Sequence, residues 1–100
     1  MMNMTHFVII SGELAPGSRV SDEKFSKIPD LIRASFQAVN HMVEENGKLN
    51  YEIIRMDEFL GLSASPSMAM RSVIMLFSAF RFLSYRELNE RLELKICMGN

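Results

Sequence analysis

Three patterns in the 100-residue sequence predict an α+β fold with one antiparallel sheet of four strands and two helices on one of its faces. Short β-rich segments alternate with two long segments that carry the three- and four-residue spacing of an amphipathic helix. Only three residues separate the two middle strands, which is typical of a hairpin. The last segment alternates apolar and polar residues, as a half-buried strand does.

The first strand is predicted over residues 5–11, THFVIIS, which form an apolar run rich in β-branched residues. Because the run leaves no room for polar alternation, we expect a central strand that is covered on both faces or nearly so. The following stretch GELAPGSRVS contains glycine, proline and serine and predicts a loop. Gly12 and Glu13 therefore come just after the strand, and the loop holds Gly17, Ser18 and Arg19.

The first long helix is predicted to begin after Ser21, because a serine hydroxyl can accept a hydrogen bond from the first turn of a helix. Apolar residues then recur three or four positions apart as far as Val43, which predicts one buried face. Pro29 is expected to kink or restart this helix as a first-turn proline. Asn46 and Gly47 form the predicted C-terminal stop.

The two middle strands are predicted over residues 49–55 and 59–63, with Met56, Asp57 and Glu58 between them. A connection this short predicts a hairpin of antiparallel neighbours, with the acids at or beside its turn.

The second helix is predicted from Ser65 and Pro66, a cap followed by a first-turn proline, to about residue 84. Residues 91–98 form the last strand, which we expect at an edge of the sheet. With right-handed crossovers, this order of elements gives the ferredoxin-like βαββαβ fold, in which the first strand lies beside the third. Residues 1–100 are predicted to form a single domain.

Composition and charge exclude several classes of function. The net charge is -1, and the basic residues are interleaved with acids rather than clustered. Because nucleic-acid binding depends on clustered Lys and Arg, we expect no direct nucleic-acid binding by this domain. Cys97 is the single cysteine, which excludes an internal disulfide or a cysteine zinc site and suits the cytoplasm. The longest apolar run, residues 73–80, is far shorter than the roughly 20 residues of a membrane span, and we expect no membrane partner.

The predicted topology places acidic residues together at one edge of the sheet. Since a helical crossover makes the first two strands parallel, the end of the first strand and the hairpin turn lie at the same edge. Glu13 should therefore approach Asp57 and Glu58. Carboxylate oxygens placed in this way suit Mg²⁺ or Mn²⁺, which take one or two carboxylates and leave other positions to water and phosphates.

Other residues near this edge are candidate ligands of phosphate. The loop can present backbone amides at Gly12, Gly17 and Ser18, and Arg19 and Arg55 are the nearest cations. A second interpretation stays open for the acids, because hairpin turns commonly carry solvated acidic residues that bind nothing.

Three short motifs, in this order, resemble those of the SatD-like family: Ser11-Gly12-Glu13, then RMDEF at 55–59, then KICMG at 95–99. The resemblance covers nearly the whole chain. More distantly, the pattern resembles the palm-type core of class III nucleotide cyclases and of GGDEF diguanylate cyclases, in which an Asp after the first strand and acids in the hairpin hold metal. The resemblance implies a divalent metal ion at Glu13 and Asp57, with Glu58 assisting, and a nucleotide ligand.

The sequence departs from the SatD-like pattern at three positions. Glu13 stands where the pattern has Asp, which displaces an ion by about one methylene. Met56 replaces a turn glycine that lets the backbone approach a substrate, and Leu60 replaces Gln. Such families usually continue beyond the position of Asn100, so the resemblance implies either the N-terminal part of a longer protein or a shortened relative.

Two functions therefore remain open on the sequence. The first is a palm-like domain that binds a nucleotide or phosphate ligand through divalent metal, either degenerate or active in nucleotidyl transfer or cyclisation. The second is a non-catalytic regulatory or assembly module that forms a homodimer through the open face of the sheet or the last strand.

Overall fold

The computed structural model describes residues 7–15, 20–43 and 49–99. The strands form one antiparallel sheet in the order β2-β3-β1-β4. This confirms the α+β, ferredoxin-like prediction, with β1 central and β4 at an edge. The elements in chain order are β1 (Val8–Leu14), α1 (Asp22–Phe25), α2 (Ile28–Val43), β2 (Leu49–Ile53), β3 (Glu58–Ser63), α3 (Pro66–Leu88) and β4 (Leu94–Gly99).

β1 runs three residues further than the sequence pattern indicated. Gly12, Glu13 and Leu14 belong to the strand, not to the loop that we predicted. The strand continues because it has a partner on each side, with β3 pairing as far as Glu13 and β4 as far as Leu14. Ala15 adds one more backbone hydrogen bond beyond the strand, at 2.8 Å.

The prediction that β1 is covered on both faces is wrong. Val8, Ile10 and Leu14 are buried, whereas Ile9 and Ser11 between them are exposed. The alternation arises because α2 and α3 pack together on one face of the sheet and leave the other face open.

The predicted first helix is divided into α1 and α2, as Pro29 indicated. The Ser21 hydroxyl accepts a hydrogen bond from the Lys24 backbone N–H at 3.3 Å and caps α1. Pro29 is the second residue of α2, where a missing N–H leaves no intrahelical bond unmade. The stop predicted at Asn46 and Gly47 lies outside the described residues.

α3 begins as the sequence predicts and ends about one turn later than expected. The Ser65 hydroxyl accepts from the Met68 backbone N–H at 3.3 Å, and Pro66 opens the helix. Asn89 ends it in the left-handed conformation with φ 56°, which is commonly found after the last turn of a helix.

Among the described residues, α3 is the one helix long and apolar enough to cross a membrane, judged by length and composition alone. A core helix of a soluble protein meets the same criterion. In this fold α3 packs on the sheet and buries residues along its whole length.

Three aromatic rings fill the space between the sheet and α2. Phe36 stacks on Tyr51 with 5.0 Å between ring centroids, and Phe59 meets both rings edge-on at 5.5 and 5.8 Å. The Tyr51 hydroxyl is hydrogen-bonded to Ser72 at 2.8 Å. Burial raises the pKa of Tyr51, so this hydroxyl stays protonated.

Two glycines in the central strands make room for these rings. A Cβ on Gly12 would collide with the Phe59 ring, and a Cβ on Gly61 would collide with the Tyr51 ring. Gly12 and Phe59 are direct partners in the pairing of β1 with β3. The ring over Gly12 therefore favours this one register of the two strands.

We predict that Gly12→Ala destabilises the domain by about 1–3 kcal/mol, because the added methyl group overpacks the Phe59 ring. Gly99→Ala is the matched control, since nothing lies within 4 Å of a Cβ at that position of β4. Urea unfolding measures both variants. Equal stability of the two would contradict the proposed contact.

Candidate functional site

The open face of the sheet is arranged in rows of cross-strand partners, and its charged side chains lie toward the hairpin. Three charged side chains from neighbouring strands form the first row, Glu58, Glu13 and Lys95. The next row contains Glu52, Leu60, Ser11 and Cys97, and the third contains Asn50, Leu62 and Ile9. The hairpin lies at the charged end of this face.

Glu13 lies at the centre of the charged row. It is the direct cross-strand partner of Glu58 in β3 and of Lys95 in β4. Side chains that are directly opposite in an antiparallel sheet have Cβ atoms about 4.5–5.5 Å apart. Both glutamates are half-buried, whereas Lys95 is exposed. The structure thus brings together two of the three predicted metal ligands.

Arg55 extends the charged row into the hairpin. Its Nε atom lies 3.5 Å from the Glu58 Oε1 atom, with 77% of the arginine side chain exposed. The Glu58 backbone carbonyl accepts hydrogen bonds from the N–H groups of Ile54 and Arg55 at 2.8 and 3.3 Å and closes the turn. Because the ion pair is well exposed, it contributes little to stability, and the Arg55 guanidinium remains accessible to a ligand.

Asp57 occupies the turn, one residue before β3, and is half-buried. Among the described residues, no group of three or more His, Cys, Asp or Glu side chains comes close enough to hold a metal ion. Asp57 therefore does not complete a three-carboxylate group with Glu13 and Glu58. The turn residue Met56 is 45% exposed, and neither it nor Asp57 lines the adjacent depression.

A depression of about 290 Å³ lies on this end of the open face. The charged row and the row beside it form most of its walls. It is lined by Ser11, Gly12, Glu13, Ile54, Glu58, Phe59, Leu60, Lys95 and Cys97. Its volume is at the lower end of the range for small-molecule sites, and it combines apolar contacts with a few charged groups, as such sites do.

Of the predicted phosphate-binding residues, two lie at the depression and three lie outside the described residues. Arg55 lies next to the depression, and Gly12 is one of the residues that line it. A Cβ atom on Gly12 would point to the other side of the sheet, toward the Phe59 ring. Gly17, Ser18 and Arg19 lie outside the described residues, so their role stays a prediction.

Sequence reasoning missed Lys95 as a site residue. The alternation of β4 places Lys95 on the open face, and the ferredoxin-like strand order places β4 beside β1. These two patterns together could have identified it. Its register with Glu13 depends on the extra residues of β1, which the sequence pattern did not reveal.

No protein-family model matches the sequence, and no curated protein matches it. Solved structures with similar folds include three cyclase domains. The guanylyl cyclase Cya2 matches with a TM-score of 0.65 and 13% identity, over 92% of this chain and 52% of that chain. The dimeric guanylyl cyclase domain of the RhoGC fusion protein from the aquatic fungus Blastocladiella emersonii matches with a TM-score of 0.64 and 12% identity, over 93% of this chain and 55% of that chain. The guanylate cyclase domain of RhGC from Catenaria anguillulae in complex with GTP matches with a TM-score of 0.63 and 10% identity, over 92% of this chain and 54% of that chain.

These similarities show that the chain has the palm-type fold of the matched part of these guanylyl cyclase chains. The chain spans about half the length of those cyclase chains. Identities of this size establish the fold and leave the function to the residues of the site.

We predict that Lys95→Glu destabilises the domain by about 0.5–1 kcal/mol at low salt, because it places a third carboxylate beside Glu13 and Glu58. Cys97→Glu is the control for position: it places a carboxylate two residues along the same strand, opposite Ser11, although it changes the net charge by one unit where Lys95→Glu changes it by two. Urea unfolding at about 0.01 M and about 1 M salt separates the two variants, since the higher salt screens the repulsion. A Lys95→Glu effect that does not change with salt would contradict this account of the row.

Proposed function

We propose that the charged end of the open face binds a nucleoside triphosphate through Mg²⁺ or Mn²⁺, with Glu13, Glu58 and Asp57 as the carboxylates. One observation carries the proposal: in a palm-type fold, the register of β1 with β3 places Glu13 directly opposite Glu58. Two like charges side by side on a sheet repel each other, and the exposed ion pair of Arg55 with Glu58 offsets this repulsion only in part. A divalent cation between them removes that repulsion.

The donor set suits this kind of ion. Mg²⁺ and Mn²⁺ prefer carboxylate oxygens, and Mg²⁺ usually takes one or two of them together with water and substrate phosphates. A pair of glutamates is therefore enough, and a cage of three protein ligands is not required. Asp57, next to Glu58 in the turn, is the residue that would join the pair when a ligand orders the site.

The rows of the open face suggest how a nucleotide would lie. Its phosphates would occupy the charged row, with the Arg55 guanidinium offsetting their charge. The sugar and base would extend over the next row, where Ser11 offers a hydroxyl and Leu60 an apolar contact. Leu60 is 44% exposed, so a base over it would cover apolar surface that faces water.

If the domain is catalytic, the reaction is nucleotidyl transfer or cyclisation. The bound cation would lower the pKa of the attacking hydroxyl and neutralise charge on the phosphates. The carboxylates position that ion, and Arg55 binds the phosphates. The finer assignment to a SatD-like relative, active or degenerate, rests on the three sequence motifs.

We predict that Mn²⁺ with GTP or ATP raises the midpoint of thermal unfolding by several degrees, because a ligand at about 100 times its Kd adds roughly 2.7 kcal/mol of stability. Glu13→Gln and Glu58→Gln should abolish the rise. Asp30→Asn, an exposed acid on α2, is the matched control and should retain it. Differential scanning fluorimetry measures these shifts.

Asp57→Asn tests the contribution of the turn. Loss of the rise in this variant assigns Asp57 to the ion, and an unchanged rise confines the ion to the glutamate pair. No rise in the parent protein with either nucleotide would refute the proposed function.

A second candidate function, an assembly module, is favoured by the apolar end of the open face. Ile9 and Leu62 face each other there and are 48% and 41% exposed. On this alternative a second copy of the chain covers these side chains, and no nucleotide is needed.

The assembly alternative predicts a dimer at micromolar concentrations that Leu62→Glu dissociates. Ile74→Glu is the control, since Ile74 is an equally apolar and more exposed residue on α3. Sedimentation velocity measures the association. A parent protein that remains monomeric over the concentration series would refute this alternative.

A further inference from the structure

We infer that Lys95, which lies directly opposite Glu13 in the sheet, is a phosphate-binding residue whose ammonium group contacts the phosphates of a metal-bound nucleotide. This inference rests on the proposed function and assigns a new residue to the same site. It gives β4, the edge strand, a part in binding.

The position of Lys95 carries the first step. β4 pairs with β1, and Lys95 is the direct cross-strand partner of Glu13. It lines the same depression as Glu13 and Glu58 and lies on the open face. Its ammonium group is therefore within reach of any ligand held by the two carboxylates.

The charge pattern carries the second step. Glu58 has a cation of its own, the Arg55 guanidinium at 3.5 Å. Within the described parts of the chain, Lys95 forms no ion pair with an acidic side chain, although it faces Glu13 directly. The row thus holds two acids between two cations. Of these two cations, Lys95 is the one with no direct salt bridge in this part of the chain.

The third step follows from the properties of the lysine side chain. An ammonium group is a strongly hydrated point charge on a flexible stem of four carbons, so it can change partners without a movement of the backbone. A divalent cation at Glu13 would repel it electrostatically. The phosphates of a ligand would attract it with charge-assisted hydrogen bonds.

The inference has two consequences of opposite sign. In the absence of nucleotide, the positive charge of Lys95 opposite Glu13 competes electrostatically with a metal ion there and weakens metal binding, although the two side chains form no direct ion pair. In the presence of nucleotide, Lys95 contacts the phosphates and strengthens binding. A residue with a merely structural role would not change the two affinities in opposite directions.

The test uses Lys95→Gln, which keeps a polar side chain of similar length and removes its charge. Binding of Mn²⁺ alone is followed by the electron paramagnetic resonance of the free ion, and binding of Mn²⁺ with GTP by equilibrium dialysis of the nucleotide in excess Mn²⁺. We expect Lys95→Gln to bind Mn²⁺ alone roughly threefold more tightly, because a competing charge is lost. We expect it to bind Mn²⁺ with GTP about tenfold more weakly, because a charge-assisted hydrogen bond is lost.

Two further variants sharpen the test. Lys95→Arg keeps the positive charge and should retain the binding of Mn²⁺ with GTP. Lys27→Gln removes an exposed lysine between α1 and α2, distant in sequence from the site, and should change neither affinity. The thermal unfolding midpoint of each variant shows that it is folded.

The outcomes separate this inference from the proposed function. A parent protein that binds neither Mn²⁺ nor Mn²⁺ with GTP refutes both. A parent that binds them, together with a folded Lys95→Gln variant of unchanged affinities, overturns the role of Lys95 and leaves the proposed function standing. Weakening of both affinities in folded Lys95→Gln also overturns it, because it contradicts the competition.

Discussion

The contact between the Phe59 ring and the backbone at Gly12 is the constraint on which the rest of the site depends. Phe59 is 1% exposed and lies in the space that a side chain at position 12 would fill. Only glycine allows a ring so close to a neighbouring strand. Because Gly12 and Phe59 are direct partners, the residues next to them, Glu13 and Glu58, become direct partners as well. A core contact on the helix side of the sheet thus sets the distance between two carboxylates on the opposite, open side.

The same register keeps the charged row of the open face apart from the row that contains Leu62 and Ile9. Shifting one strand by a single residue would exchange its buried and exposed side chains, so Phe59 would lose its place in the core and Glu58 would be buried. The aromatic cluster of Phe36, Tyr51 and Phe59 opposes such a shift. The charged row therefore stays at the hairpin end and the row with Leu62 stays at the other. The open face therefore carries Glu52 and Asn50 beside Leu60 and Leu62 as well as the charged row, which supports a ligand with polar groups better than a uniformly apolar dimer interface.

Much of the fold could be predicted from the sequence, because its determinants are local. Pro29, Ser65 and Pro66 mark helix starts through their own backbone chemistry. The gap of three residues predicted between the middle strands, four in the structure, leaves little choice other than a hairpin. The end of β1 could not be predicted in this way. Gly12 has the local character of a turn residue, and its actual role depends on Phe59, 47 residues later in the chain. The prediction that acids meet at one edge of the sheet followed from topology, and it is correct for Glu13 and Glu58. The position of Lys95 opposite Glu13 depends on a strand register that no local sequence pattern contains.

A likeness to cyclase domains at 10–13% identity gives the fold and leaves the chemistry to the residues of the site. A crystal of the domain grown with Mn²⁺ and a non-hydrolysable GTP analogue tests that chemistry directly, because the anomalous scattering of manganese locates the ion. The account predicts an anomalous peak within coordinating distance of the Glu13 carboxylate and of at least one acid of the hairpin, with the nucleotide extending over the row of Ser11 and Leu60. A well-ordered nucleotide elsewhere, or manganese away from Glu13, would contradict it.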